Sequence, residues 1–373
     1  MRQRKLKKIL YLTGYPAPYR VAYFDVLGES ADVTVLFADR KEDQAHRSQS
    51  WFVQGKGNFR AVQLEKRVAA ARGGCLCLDV LKWLNRKWDV IVLCGYSSPT
   101  VMLAMAYLKV RGIRFWMEVD GGLIRSDSRA KYLFKKTLVS AASGWLSTGK
   151  ATTNYLVHYG AKQEKVCEYP FSSLHEADMP ENSLTAEQKQ LLRQELGLAG
   201  GKMILSIGQF IHRKGYDVLL RAAEKLAADV QIYIVGGTPT EEYLQICRER
   251  NLQNVHFVGF MKKEQLLKYY QAADLFVLPT REDIWGLVIN EAMAYSLPVI
   301  TTDRCVAGLD LVENGVNGYI VPVEDDVALA EKINTLFTQD YLAMGQVSRE
   351  KIRNYTIEQM AKSHLEVFEN VTL

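Results

Sequence analysis

"ADLFVLPTREDIWGLVINEAMAYSLPVI", residues 273–300, decides how this chain is read. It opens with a short apolar strand that stops at Pro279. A polar loop, "REDIWG", follows. "LVINEAMAYS" has helical spacing, and "LPVI" begins another apolar strand. A strand, a crossover helix and a second strand within 28 residues make the repeating unit of a parallel α/β sheet. The unit places two acids, Asp283 and Glu291, on either side of the helix start.

The same alternation runs outward in both directions. In the first half the short runs are "KILYLTG", "DVTVLFAD", "DVIVLCGY", "IRFWMEVDGG", "SGWLSTG" and "KVCEYPF". The pattern restarts at "GKMILSIG" (201–208), which echoes "LKKILYLTG" (6–14). Longer segments with helical spacing lie between the runs, as expected of parallel strands covered on both faces. The expected fold class is α/β: two doubly wound Rossmann-like domains facing across a deep cleft. The first covers 1–172 and the second 186–355, with a polar join in "SSLHEADMPENSLTAEQ" (172–188). The terminal segment 356–373 reads as an amphipathic helix with Ile357, Met360, His364, Val367 and Phe368 near one side, packing back on the first domain.

Composition bounds the function. A chain of 373 residues suits two cores rather than one. A net charge of +5 is too mild for a dedicated nucleic-acid binder and suits anionic small substrates or an anionic lipid surface. The basic residues are scattered, so a solvated surface is the alternative. No apolar run reaches the ~20 residues needed to span a bilayer. The six cysteines lack metal-ligand spacing and read as reduced core residues of a cytoplasmic protein.

In doubly wound sheets, ligands bind beyond the carboxyl ends of the strands. Gly286 opens the helix without a side chain, so the amides of Gly286, Leu287 and Val288 can approach a phosphate. Glu291 lies about one helical turn further, ~7 Å along the axis, where a ribose on that phosphate would reach it. Asp283, with Ile284 and Trp285, lies on the other side, where a transferred sugar would project. The plainer alternatives are that Asp283 caps the helix and Glu291 sits on its surface. "SIGQFIHRKGYDVLLRAA" (206–223) adds a second loop to the same half: Gly208 permits a close turn, and Arg213 and Lys214 bring two cations suited to a diphosphate. Solvated loop charges are the alternative here.

These residues carry a resemblance. "GQFIHRKGYDVLLRAA", "NVHFVGF", "AADLFVLPT", "DIWGLVINEAMAYSLPVI" and "LVENGVNGYIVPVED", in order over 202–325, resemble the C-terminal half of glycosyltransferase family 4, retaining enzymes of GT-B architecture. "TGYPAPYRVAYFDVLGE" resembles the start of polysaccharide-assembly members. The resemblance implies that Asp283 contacts hydroxyls of the donor sugar, Glu291 the ribose and Lys214 the diphosphate. It also implies that Val258, Gly259, Phe260 and Met261 bind the base. Two departures stand out: the first signature Glu is Asp283, and the usual Arg after Gly208 is Gln209, whose charge Arg213 can supply. Gly14 would approach the diphosphate from the first domain. Tyr15, Tyr19 and Arg20 would line the acceptor side, or pack their loop. Asp120, in "EVDGG" (118–122), would touch sugar or acceptor, or cap a glycine turn. Trp285 would wall the sugar site or serve as a buried hinge.

The expected reaction is metal-independent and needs no cofactor, because no Asp-X-Asp stands at a strand end and cations can stabilise the leaving group. Family-type retention without a matched nucleophile implies same-face transfer. A UDP-sugar is the default donor and a glycan or lipid-linked glycan the acceptor, at the cytoplasmic face of the membrane. Two other classes stand beside this reading. A catalytically silent GT-B subunit would account for Asp283 and Gln209. A dinucleotide oxidoreductase needs a Gly-X-Gly-X-X-Gly after a first strand, and neither "GYPAPY" nor "GQFIHRKG" supplies it.

Overall fold

The computed structural model describes residues 6–39, 56–69 and 75–370. They divide into two compact units, Met1–Glu176 with Tyr355–Leu373, and Ala177–Asn354. Both are α/β with parallel central sheets, the doubly wound class read from the sequence.

The first unit holds a seven-stranded sheet. Its strands are β1 (Lys8–Thr13), β2 (Asp32–Phe37), β3 (Arg60–Gln63), β6 (Val90–Cys94), β7 (Trp116–Val119), β8 (Gly144–Ser147) and β9 (Val166–Glu168). They run in the order β3-β2-β1-β6-β7-β8-β9, all parallel. β1 and β2 are buried at every position after the first, because helices cover both faces. These helices are α1 (Pro18–Gly28), α2 (Pro99–Val110), α3 (Arg129–Val139) and α4 (Lys150–His158). A small antiparallel hairpin, β4 (Arg67–Ala69) with β5 (Cys75–Cys77), stands apart from the sheet. The last helix, α13 (Ile357–Asn370), packs against α1. Its buried residues Ile357, Met360, Ala361, His364 and Phe368 form one helical stripe. The ring of Phe368 meets Trp116 at 6.0 Å, and His364 meets Tyr23 at 5.0 Å.

The second unit holds a six-stranded sheet of β10 (Lys202–Ile207), β11 (Val230–Val235), β12 (Val255–Val258), β13 (Leu275–Leu278), β14 (Val299–Thr302) and β15 (Gly318–Val321). Their order is β12-β11-β10-β13-β14-β15, so the winding reverses between β10 and β13. In doubly wound sheets such a reversal is where ligands bind, beyond the carboxyl ends of the strands, so the loops leaving β10 and β13 carry the search for a site. Around the sheet lie α5 (Ala186–Glu195), α6 (Tyr216–Ala223), α7 (Glu241–Glu249), α8 (Lys263–Ala272), α9 (Leu287–Ala294), α10 (Val306–Leu311), α11 (Asp326–Phe337) and α12 (Tyr341–Ile352).

Two helix ends show how local sequence sets these elements. α5 starts at a reciprocal cap, Thr185 with Gln188. From α5 the buried Lys189 and Arg193 donate to the carbonyls of Ala273 (2.5 Å) and Ala272 (2.8 Å), satisfying the carboxyl end of α8. α9 ends before Pro298 by its own means. Ser296 adopts a left-handed φ of 58°, and the Leu297 amide returns to the Ala292 carbonyl at 3.1 Å. This is a Schellman closure with serine in the place usually taken by glycine. The proline only follows it.

Candidate functional site

The loops leaving β10 and β13 are zipped together. The Arg213 carbonyl accepts from the Arg281 amide (2.8 Å) and from Thr280 Oγ1 (2.9 Å). Arg213 in turn donates to the Glu282 carbonyl at 2.7 Å. Gly215 makes this approach possible. Its φ is +68°, and a Cβ there would lie 2.1 Å from the Pro279 carbonyl oxygen. The contact fixes the short turn His212–Lys214 against the second loop.

Three of the expected residues therefore meet. Lys214 Nζ lies 2.5 Å from Asp283 Oδ2, and Arg213 Nη1 lies 3.2 Å from Asp283 Oδ1. Lys214 and Asp283 are 12% and 13% exposed, whereas Arg213 is 46% exposed. Asp283 is also held by its backbone: its amide donates to the Arg304 carbonyl (2.9 Å) and its carbonyl accepts from the Val306 amide (3.1 Å).

The cap reading of Asp283 is overturned. α9 begins at Leu287, Gly286 is its N-cap with φ +104°, and no side chain bonds the cap. Asp283 stands three residues too early and is committed to the cations. The expectation that Trp285 walls a sugar site is corrected as well. Its ring is 3% exposed and its Nε1 donates to Asn290 Oδ1 at 2.9 Å, so it packs beneath the loop. Ile284 is the exposed member of this stretch, at 57%.

Glu291 sits in the second turn of α9, partly exposed, with Oε2 accepting from Tyr270 at 2.8 Å. Tyr270 is fully buried and stacks on Tyr295, ring centroids 5.6 Å apart, which fixes that hydroxyl. Leu287 and Val288, in the first turn of the same helix, are half-buried. Gly208 and Gln209 follow β10, and Gln209 is exposed. Val258, Gly259, Phe260 and Met261 leave β12, and Phe260 is 71% exposed. The amides of Gly208 and Gly236 donate to Val235 and Val258, tying the three strand ends together.

The first unit gathers another set. Tyr19, Arg20 and Asp120 meet at the carboxyl end of β7. Tyr19 donates to Asp120 Oδ2 at 3.2 Å. Arg20 is 3% exposed and divided between Asp120 and Glu118, 2.7 Å from Glu118 Oε1. The structure places Arg20 as a buried clamp on two carboxylates, not as an open cation lining the acceptor side. Asp120 keeps its side chain 31% exposed. Tyr15 and Gly14 are half-buried beyond β1, and a Cβ at Gly14 would lie 2.9 Å from Asp39 Oδ2.

Glu118 is the residue that the sequence reading passed over. It is fully buried and accepts from Arg20, from Tyr169 (2.9 Å) and from the Cys94 thiol (3.4 Å). His364 of α13 brings Nε2 to 3.7 Å. Burial raises its pKa, but Arg20 and His364 outweigh that and hold the carboxyl well below the usual range. Burial pushes Asp120 upward, against the pull of Arg20 and reinforced by the charge of Glu118. The available signal was a lone acid in "FWMEV" and a lone base in "YRVAYF", charges of opposite sign stranded in apolar runs.

Comparison with known proteins agrees with this layout. Residues 188–359 match the family model described as Glycosyl transferases group 1. The O-antigen chain mannosyltransferase C of Escherichia coli is 24% identical over 357 residues, 91% of this chain and 89% of its own. A D-inositol 3-phosphate glycosyltransferase of Xylanimonas cellulosilytica is 28% identical over 261 residues, 66% of this chain. The chain spans 61% of that relative's length and 65% of the uncharacterized glycosyltransferase MJ1607 of Methanocaldococcus jannaschii. Among solved structures, Anabaena Alr3699/HepE in complex with UDP superposes with a TM-score of 0.73 at 19% identity, covering 98% of this chain and all of that one. At that identity the likeness establishes the fold.

Proposed function

We propose that this protein is a retaining glycosyltransferase of family 4 and GT-B type. It moves a hexosyl group from a nucleotide diphosphate sugar, a UDP-sugar first, to a glycan or lipid-linked glycan acceptor in cell-surface polysaccharide assembly. One observation carries the reading. Arg213, Lys214 and Asp283 converge where the winding of the second unit reverses, with Glu291 one helix turn beyond. The group 1 match over 188–359 and the O-antigen relative support the same assignment.

In this reading the second unit holds the donor. Glu291 accepts from the ribose hydroxyls, the segment Val258–Met261 receives the base, and the first-turn amides of α9 face the diphosphate. The sugar–phosphate bond opens through an oxocarbenium-like state. The leaving phosphate oxygen takes the proton of the incoming acceptor hydroxyl on the same face. Arg213 and Lys214 stabilise the charge that develops on the diphosphate, so that no metal is required. Ordinary glycosidase logic, two carboxyls ~5–9 Å apart astride the bond, does not describe this set. Of the first unit, Gly14 is assigned to the diphosphate, Asp120 to the sugar or acceptor, and Tyr15 and Tyr19 to the acceptor side.

Among the described residues no helix is long and apolar enough to cross a membrane. α3 exposes Leu133 and Phe134, at 50% and 54%, in the basic sequence "RAKYLFKK". That surface suits peripheral contact with anionic lipid at the cytoplasmic face, where a lipid-linked acceptor would lie.

A silent partner subunit is the second reading, favoured by one observation: both cations are already paired with Asp283. A thermal-shift panel of UDP-, GDP- and ADP-sugars separates the two. Stabilisation by one nucleotide class, lost in Glu291→Ala, supports the enzyme. No shift with any of them sinks it.

A further inference from the structure

The cations that the donor diphosphate would need are already paired. Lys214 Nζ lies 2.5 Å from one oxygen of Asp283, and Arg213 Nη1 lies 3.2 Å from the other. Asp283 cannot withdraw by moving its backbone, because its amide and carbonyl are bonded to Arg304 and Val306. Only its side-chain torsions are available. The stem of Lys214 runs over Gly208, with Cε 3.1 Å from where a Cβ on that glycine would stand, so the missing side chain leaves it room to reach Asp283. Arg213 divides one nitrogen between Asp283 and the Glu282 carbonyl.

Resting on the donor-site reading above, we infer that Asp283 is a built-in counter-ion that competes with an entering diphosphate for Lys214 and Arg213. A diphosphate carries at least two negative charges and would arrive beside a carboxylate. Like charges at such a separation repel strongly in a partly buried site. The repulsion is relieved when the carboxylate turns to a neutral donor of hydrogen bonds. The hydroxyls of an attached sugar supply that donor, and a bare nucleoside diphosphate does not.

The arrangement thus favours an intact nucleotide sugar over the free nucleotide. It also assists turnover. Once the sugar has been transferred, Asp283 loses its hydroxyl partners, returns to Lys214 and Arg213, and weakens the hold on the departing diphosphate. Asp283 then has two successive partners, cation before binding and sugar after it.

The test is calorimetric titration of wild type, Asp283→Asn and Lys214→Met with inorganic pyrophosphate, with UDP, and with whichever nucleotide sugar the panel selects. Asp283→Asn is expected to bind pyrophosphate and UDP at least threefold more tightly than wild type, with a steeper loss in salt. Its preference for the sugar-bearing nucleotide over UDP should fall towards one. Lys214→Met should lose pyrophosphate binding. Unchanged or weaker pyrophosphate binding by Asp283→Asn, with melting showing a folded protein, overturns the inference. Asp283→Ala, read the same way, decides the matter if the asparagine variant does not fold. If wild type binds pyrophosphate but no nucleotide sugar, the donor assignment fails while the counter-ion is still judged by the pyrophosphate arm. If no variant binds either anion, both fall.

Discussion

Arg281 meets Asp217 in a two-pronged ion pair, Nη1 2.8 Å from Oδ1 and Nη2 2.7 Å from Oδ2. The pair fastens the loop after β13 to the first turn of α6. Arg281 also donates to the His212 carbonyl at 2.7 Å and pairs with Glu324. Burial raises the pKa of Asp217, but Arg281 and Arg221 reverse this and hold the carboxyl below its ordinary value. Arg281→Lys keeps the charge and loses the fork, with an expected cost of about 1–2 kcal/mol in stability. Because the fork sets the turn that carries Arg213 and Lys214, the same variant should lose most of its nucleotide-induced thermal shift. Melting with and without nucleotide checks both.

Gly215→Ala should damage the same place by another route. The residue must keep φ near +68° with its new Cβ 2.1 Å from the Pro279 carbonyl. We expect a loss of roughly 2 kcal/mol or more, because the clash adds to the backbone strain. Gly237→Ala is the control: its φ is +113°, but a Cβ there meets nothing within 4 Å. That variant should lose only the strain, about 1 kcal/mol. Equal losses from denaturant melts would show that the loop contact is not tight.

Glu118→Gln should destabilise the first unit by about 3 kcal/mol at neutral pH, since it leaves Arg20 with half of its buried counter-charge. The pH dependence has a definite sign. The folded pKa of Glu118 is depressed, so its contribution is complete above the unfolded value near ~4.4 and declines as pH falls towards the folded one. The stability gap between wild type and Glu118→Gln should therefore be flat above about pH 5 and narrow below about pH 4. Denaturant titrations at several pH values measure it.

Lys189 gives the opposite case. Burial pulls its pKa down to about 8, opposed by Asp274 and reinforced by Arg193. Between that value and the unfolded pKa the unfolded chain binds the extra proton, so stability rises with pH across roughly pH 8 to 10. Below pH 8 the buried charge costs up to roughly 3 kcal/mol. Lys189→Met should therefore gain on wild type at pH 7 and lose that advantage by about pH 10. The forfeited bond to the Ala273 carbonyl reduces the gain by about 1 kcal/mol at every pH.

The parallel sheets were legible because every strand needs a short apolar run and every crossover a helical period. The restart at "GKMILSIG" therefore marked a second sheet without any contact being known. Arg213, Lys214 and Asp283 were legible as a group because each follows a strand end, and strand ends converge on one edge. What stayed hidden depends on partners far apart in the chain. Arg20 and Glu118 each look like an isolated charge in an apolar segment, and only the pairing of β1 with β6 and β6 with β7 places them together. Trp285 misled because loop position suggests access, whereas its bond to Asn290, a neighbour on the following helix, turns the ring inward. Arg281 resembled any loop cation until Asp217 gave it two parallel bonds.

The return of α13 to α1 has a consequence for biosynthesis. Glu118 and Trp116 leave the ribosome long before His364 and Phe368, which pack on them from α13. The second unit, continuous in the chain, can finish first, while the first waits with an open flank. A nascent chain halted after residue 354 would hold one completed unit and another that still lacks the helix packed on α1.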